Sequence, residues 1–211
     1  EVEGKAVGSI GFGSEGDVER VTAEVGYWIG EKYWGHGIMS KVLEDITEYA
    51  FQNFHYEKLY TIVFSTNPAS MHVSQKAGYR QEAVLHHAAV KLHPMKYLCM
   101  FVAFKIKTNK SEKGEIRKNL TIMKTGKTEL PRSTSGADEF FILQGKKQGV
   151  RIEGEGYVIR EFSYSDCESL AENADNNKIW NNLMDNFPHP YTKQDAFDYI
   201  SMVKAMPGKP M

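Results

Sequence analysis

Residues 22–54 read as a strand, a glycine loop and a helix in immediate succession, an order that leaves the neighbouring chain few ways to fold. From Thr22 to Gly30 the pattern alternates. Ala23, Val25, Tyr27 and Ile29 point one way, and Glu24, Gly26 and Trp28 the other, which is the period of a strand. After Gly35 and Gly37, the residues Ile38, Val42, Leu43, Ile46, Tyr49 and Ala50 recur at helical spacing. The two glycines permit turns that other residues resist and let the main chain approach a ligand closely. The helix opens at about Ile38. The unpaired N–H groups of its first turn and the positive end of its dipole favour an anion there, a pyrophosphate by the shape of the loop. Lys32 and Lys41 are placed to add charge from either side. An isolated Gly-x-Gly reads better as a surface turn, so the strand and helix on its flanks carry the weight.

Lys32-Tyr33-Trp34-Gly35-His36-Gly37 resembles the acetyl-CoA loop of the GNAT N-acetyltransferases, usually Arg/Gln-x-x-Gly-x-Gly/Ala, with lysine as a departure in the first place. The wording from Gly26 to Ile38 is most similar to the RimJ/RimL branch, whose members acetylate protein N-termini and other amines. A second motif, Asn67-Pro-Ala-Ser70 continuing through Ser74 and Lys76 to Gly78-Tyr79, resembles that branch's Asn-x-x-Ser…Lys-x-Gly-Phe helix. A strand at Lys58–Phe64 separates the two motifs. The resemblance implies an α/β (α+β) fold, a mixed and strongly twisted sheet flanked by helices. It implies acetyl-CoA as co-substrate and no metal. It also places Trp28, Ile29, Gly30, Lys32, Trp34, Gly35, His36, Gly37, Ile38, Asn67 and Ser70 against the cofactor.

Composition narrows the partners. The chain has 211 residues, 41% hydrophobic and 25% charged, with a formal net charge of -1, values of a soluble globular protein. Near-neutral charge argues against nucleic acid or an anionic membrane surface as the main partner. No apolar run reaches transmembrane length and the opening residues are not a signal peptide. Cys99 and Cys167 form no framework pattern, so reduced thiols in a cytoplasmic protein are the expectation.

Residues 1–106 read as strand Lys5–Gly13, strand Val21–Gly30, helix Ile38–Phe54, strand Lys58–Phe64, helix Pro68–Ala77, strand Tyr79–Leu92 and strand Tyr97–Ile106. By resemblance this is the C-terminal portion of a GNAT fold. Its first strand and first two helices match residues 157–211 instead. Tyr157–Arg160 is similar to the opening strand, Ser165-Asp166 is read as an N-cap for a helix through Leu170 and Ala174, and Ala196, Phe197, Tyr199, Ile200 and Val203 form the face of the last helix. Glu1 falls inside a structural element, so residues before it are expected. Tail and head nearly abut in the family's order. That suits a circular permutant, two half-domains exchanged between copies in a homodimer, or a fragment of a longer tandem protein. Residues 107–156 form a linker. Its lysine-rich first part and Pro131–Gly136 are flexible by composition. Phe140–Leu143 and Gly149–Ile152 are compatible with a short hairpin.

Acetyl transfer needs a neutral amine, and amines are protonated near neutral pH, with pKa values of about 8 to 10.4. A general base therefore helps, directly or through water. Glu24, on the strand beside the loop, is the candidate; an exposed strand carboxylate is the other reading. In several GNAT branches a tyrosine seven residues after the motif asparagine protonates the departing thiolate. Ser74 stands there in this chain, as a weak donor or as helix packing. Asn67 also reads as a plain N-cap. The thioester carbonyl is expected to meet backbone N–H groups of Trp28, Ile29 and Gly30, where the strand splays from its neighbour. Phe187, His189 and Tyr191 fall where the branch places its acceptor loop, or they pack a Pro-rich turn. His86 and His87, adjacent on a strand, face opposite sides, and with His93 they make a poor metal site.

The activity this reading implies is transfer of acetyl from acetyl-CoA to a primary amine, a protein N-terminus or a small molecule. A non-catalytic acyl-CoA-binding module and a swapped half-domain acting in oligomerisation are the alternatives.

Overall fold

The computed structural model describes residues 1–14, 16–91, 95–106, 140–141 and 150–205. The strands are β1 (Gly8–Ser14), β2 (Thr22–Ile29), β3 (Lys58–Phe64), β4 (Arg80–Val90), β5 (Met95–Phe104), β6 (Phe140–Phe141), β7 (Arg151–Gly154) and β8 (Tyr157–Arg160). The helices are α1 (Ile38–Asn53), α2 (Pro68–Lys76), α3 (Cys167–Ala174), α4 (Asn177–Trp180) and α5 (Lys193–Ala205). Six strands form one sheet in the order β4-β5-β3-β2-β1-β6, and β7 and β8 form a separate hairpin. Every neighbouring pair is antiparallel except β2 with β3. The architecture is thus mixed α/β, a mostly antiparallel sheet with helices packed against it. The expected elements of residues 1–106 stand within about three residues of their positions, an ordinary margin for element ends. The expected hairpin reaches into residues 142–149, which lie outside the described residues.

Period-2 alternation on β2 feeds two cores on opposite faces of the sheet. Ala23 and Val25 pack with Leu43, Ile46 and Ala50 of α1, with Leu59 of β3 and with Phe101 of β5. Leu43, Ile46, Leu59 and Phe101 are wholly buried, and each such side chain contributes about 1.5–3 kcal/mol by leaving water. Val150, Ile152, Tyr157 and Ile159 of the β7–β8 hairpin join the same cluster. On the other face, Trp28 meets Leu170, Ala171, Ala174, Tyr191, Ala196 and Ile200 from α3, α5 and the loop between them.

Residues 150–205 are tied to residues 1–106 by polar contacts as well. Tyr157 Oη donates to Asp45 Oδ2 at 2.6 Å, and Lys41 Nζ donates to Glu155 Oε2 at 2.7 Å. The Glu1 nitrogen donates to the Val158 carbonyl at 2.7 Å, and the Val158 N–H returns a bond to the Glu1 carbonyl at 2.9 Å. Arg160 reaches both Asp166 oxygens at 2.7 Å and also pairs with Glu1.

The entry into α3 corrects one expectation. Asp166 holds the N-cap position of α3, but Ser165 has no part in it, because a 3-10 turn at Tyr164–Asp166 starts the helical path earlier. The Asp166 carboxylate instead accepts the Ser163 N–H at 2.7 Å, while Ser165 Oγ donates to Ser163 Oγ. α5 opens on a cap at Thr192. Thr192 N–H and Oγ1 meet Asp195 Oδ2, and Asp195 N–H returns a bond to Thr192 Oγ1, a reciprocal capping box.

Candidate active site

The site begins where the one parallel pair comes apart. β2 and β3 are in register only at Thr22–Lys58, Ala23–Leu59 and Glu24–Tyr60. Beyond Glu24 the two strands diverge while each continues to its own end, Ile29 and Phe64. A fork opens whose base is the Glu24–Tyr60 rung and whose mouth faces the glycine loop. In the mouth, residues 31–33 make a 3-10 turn, and Gly35 and Gly37 adopt φ of +77° and +74°. These left-handed conformations are what require glycine. Gly37 is the N-cap of α1, and no side chain caps that helix end. Among the described residues, nothing lies within 4 Å of a Cβ placed on Gly35, and only Lys76 Nζ, at 3.4 Å, comes near one on Gly37. The first-turn amides of a 16-residue helix, together with the Lys76 ammonium, therefore face an open approach, the arrangement that binds phosphate groups.

The expected lysines behave differently from one another. Lys41 is engaged with Glu155. Lys32 lies over the Tyr33 ring, 4.8 Å from its centroid. Lys76 is the cation the sequence reading missed. It sits on α2, distant in sequence, and only the packing of α2 beside α1 brings it to the loop. Trp34, 41% exposed, donates its indole N–H to the Ile29 carbonyl at 2.8 Å and braces the turn. His36 is exposed in the loop. Glu31 anchors the loop from the other side, accepting from Asn176 Nδ2 at 2.7 Å and pairing with Lys178. These hydrogen bonds hold its carboxyl below the usual carboxylate range, Lys178 contributing most. Gly30 is a close-approach position. A Cβ there would lie 2.3 Å from Asn173 Oδ1.

The three amides expected at the thioester divide by ladder parity. Gly30 N–H donates to the Val7 carbonyl at 2.8 Å. The β1–β2 register is unbroken from Gly8–Ile29 to Ser14–Ala23, so alternation turns the Trp28 amide toward β1 as well. Ile29 N–H is the one of the three that turns toward the fork. This corrects the expectation that Trp28 and Gly30 offer donors there.

Glu24, the expected base, is half-buried at the base of the fork. On the opposite face stands a hydroxyl cluster. Tyr27 Oη lies 2.9 Å from Ser70 Oγ, 3.2 Å from the Ser70 carbonyl and 3.4 Å from Ser74 Oγ. Ser74 Oγ is 3.1 Å from Thr61 Oγ1 and donates to the Ser70 carbonyl at 3.2 Å. Burial pushes the Tyr27 phenol up, against the lowering effect of Ser70 and Ser74. Asn67 accepts the Ser70 N–H at 3.1 Å, with Pro68 at the first helical position, the plain cap reading of that residue.

The expected acceptor-loop residues separate. Phe187 stacks on Tyr191 at 4.9 Å and meets Trp28 edge-on at 5.9 Å. Tyr191 is buried. His189 turns elsewhere, stacking on Trp180 at 5.4 Å with Nδ1 3.4 Å from Asp175 Oδ1. Buried Lys91 closes over the same tryptophan, 4.1 Å from its ring, and meets Asp185 at 2.8 Å. His86 and His87 do not face opposite sides of their strand. Both rings touch Tyr97, at 4.6 and 5.4 Å, because the β4–β5 register shifts between Leu85 and Ala89 and His87 takes φ of +53°. His93 lies outside the described residues. Among the described residues, no group of three or more His, Cys, Asp or Glu side chains could hold a metal ion.

The sequence model of the Acetyltransferase (GNAT) domain family matches residues 1–80. Those residues contain the loop, the fork and α2. The chain is 33% identical over 79 residues to the uncharacterized N-acetyltransferase YoaA of Bacillus subtilis (strain 168), covering 37% of this chain and 44% of that protein. It is 32% identical over 63 residues to the probable N-acetyltransferase YjcK of the same organism, covering 30% of this chain and 35% of the relative. The chain thus spans less than half the length of these relatives. Among solved structures, a GNAT-family acetyltransferase from Streptococcus pneumoniae superposes with a TM-score of 0.46 at 23% identity, over 49% of this chain and 62% of that one.

Proposed function

We propose that the chain is an acyltransferase of the GNAT type that moves acetyl from acetyl-CoA to a primary amine. One observation carries this reading. The β2–β3 fork, the left-handed Gly35 and Gly37 and the uncapped start of α1 open onto one another, inside the segment that matches the family. An extended thioester arm lying in the fork would place its diphosphate at the loop and its acyl end near Glu24. The acceptor approaches from the opposite face, where Trp28, Phe187 and Tyr191 give an apolar wall.

In the proposed reaction the amine nitrogen attacks the thioester carbon, the C–S bond breaks, and the electron pair goes to sulfur. The amine's proton leaves to Glu24, directly or through water. Ile29 N–H polarises the carbonyl. Lys32, Trp34, His36, Lys76, Asn67 and Ser70 line the path of the cofactor. The likeness to the RimJ/RimL branch favours a protein N-terminus or a small amine as acceptor. Among the described residues, no helix is long and apolar enough to cross a membrane.

We further infer that residues 1–106 and 157–211 complete one fold in permuted order. The paired backbone of Glu1 and Val158 and the shared use of Arg160 support this. Calorimetric titration of acetyl-CoA into the purified chain tests the central reading. Binding near one equivalent per chain is the expected result, and a folded protein that takes up none overturns it.

A further inference from the structure

We propose that Tyr27, from β2, is the hydrogen-bond donor that holds the departing CoA sulfur, and that it acts as a neutral phenol which keeps its proton. This rests on the acetyl-CoA reading above and gives a role to a residue to which the sequence reading assigned none.

Three observations converge on Tyr27. The first is its place in the fork. It stands three residues beyond the last β2–β3 rung, Glu24–Tyr60, and its side chain reaches from β2 to Ser70 and Ser74 on α2. A thioester arm anchored by its diphosphate at Gly35–Gly37 and directed toward Glu24 has to pass this side chain. The second is access. Ser74, at the position where a motif tyrosine is expected, is 0% exposed and lies behind Tyr27, packed on Thr61 and Ser70. Tyr27 itself is only partly buried. Of the Ser74 and Tyr27 hydroxyls, the more accessible residue is the phenol, supplied by the neighbouring strand rather than by α2.

The third is the wiring of the cluster. Tyr27 has one proton and an oxygen that also accepts. When the proton turns from Ser70 to the sulfur, Ser70 Oγ, 2.9 Å away, can donate to the phenol oxygen, while Ser74 Oγ keeps its bond to the Ser70 carbonyl. The network stays satisfied in both states. Ser70 and Ser74 are then positioning residues.

The chemistry sets which role the phenol takes. Breaking C–S leaves the electron pair on sulfur as a thiolate, whose conjugate thiol has a pKa of about 8.5, against about 10 for a phenol. Burial pushes Tyr27 higher still. Proton transfer to sulfur is uphill, so the phenol stays neutral and its O–H···S⁻ bond carries the stabilisation as a charge-assisted hydrogen bond. The thiolate later takes its proton from solvent.

The test uses product CoA and needs no acceptor. The thiol of CoA bound to the full chain is titrated by its thiolate absorbance, as the difference between CoA and desulfo-CoA complexes. The expected result is a bound thiol more acidic than free CoA, with Tyr27→Phe raising its proton affinity by about tenfold. CoA affinity at pH 7, where the thiol is protonated, should change by less than about threefold. An unchanged thiol pKa overturns the proposal, as does a loss of affinity that accounts for the whole effect. Should Tyr27→Phe fail to fold, 3-fluorotyrosine at the same position keeps the shape and sharpens the donor. The thiol must then become more acidic, and an unchanged value overturns the proposal. Absence of CoA binding by the unaltered chain overturns the acetyl-CoA reading itself, a result distinct from binding with an indifferent Tyr27.

Discussion

Glu1 and Val158, 157 positions apart, exchange a pair of backbone hydrogen bonds of 2.7 and 2.9 Å, as neighbouring residues of two antiparallel strands do. Around this pair the two ends of the described chain become one body. Arg160 binds both Asp166 oxygens and Glu1 beside it, and Tyr157 bonds Asp45 on α1. Replacing Arg160 strands two carboxylates in a partly buried place. Arg160→Met should cost about 1–3 kcal/mol, less than a fully buried pair because Arg160 retains 22% exposure. Thermal unfolding of the variant checks this.

The same contacts have an acid signature. Arg160's hydrogen bond is the main reason the Glu1 carboxyl lies below its ordinary 4.5. Burial works to raise Asp166, but Arg160 and the Ser163 N–H outweigh it and hold the group below its ordinary 3.8. A carboxyl with a depressed folded pKa contributes stability that is complete above its unfolded value and lost as pH falls through the folded one. The apparent Tm should therefore fall as pH drops below the ordinary carboxylate values, and Arg160→Met should flatten that fall. Equal acid limbs in both proteins would remove the Arg160 contacts as its cause.

Gly37 offers a conformational test of the proposed cofactor loop. A β-branched residue at φ of +74° is strained. Gly37→Val should weaken acetyl-CoA binding by more than about tenfold through misdirected first-turn amides of α1. Gly37→Asn, which tolerates the left-handed region, should retain most of it. Calorimetry on the two variants decides. If both fail alike, side-chain bulk in the open approach, rather than backbone conformation, is responsible.

Glu24 is tested by turnover. Glu24→Gln preserves shape and removes the proposed base, so kcat should fall by about 10²–10⁴ near neutral pH with acetyl-CoA affinity nearly unchanged. The deficit should shrink as pH rises and more amine is neutral. Equal turnover of variant and parent from pH 6 to 9 would take the role from Glu24.

The proposed permuted arrangement predicts a solution mass. If residues 150–205 pack on residues 1–106 of their own chain, light scattering can return a monomer without loss of acetyl-CoA binding. Obligatory exchange of halves instead requires a dimer at every concentration where the site is intact.

Local pattern determined much of this protein. The alternation on β2, the helical repeat of α1, the two glycines and the Asn67-Pro68 cap are all written in short stretches, because each is settled by backbone sterics and by which face meets the core. The role of Ser165 ahead of α3 and the orientation of His86 and His87 were misread, since a 3-10 turn and a register shift are decided by packing that local pattern does not record. The site needed more. Lys76 reaches Gly37 only through the contact of α2 with α1, and the Tyr27 hydroxyl reaches Ser70 and Ser74 only because β2 and β3 part after Glu24 and Tyr60. That Glu1 and Val158 are partners is visible at no separation a periodicity can span. Periodicity reports what each residue does within its own element; which elements meet is fixed by burial of two shared cores, and only the folded chain shows it.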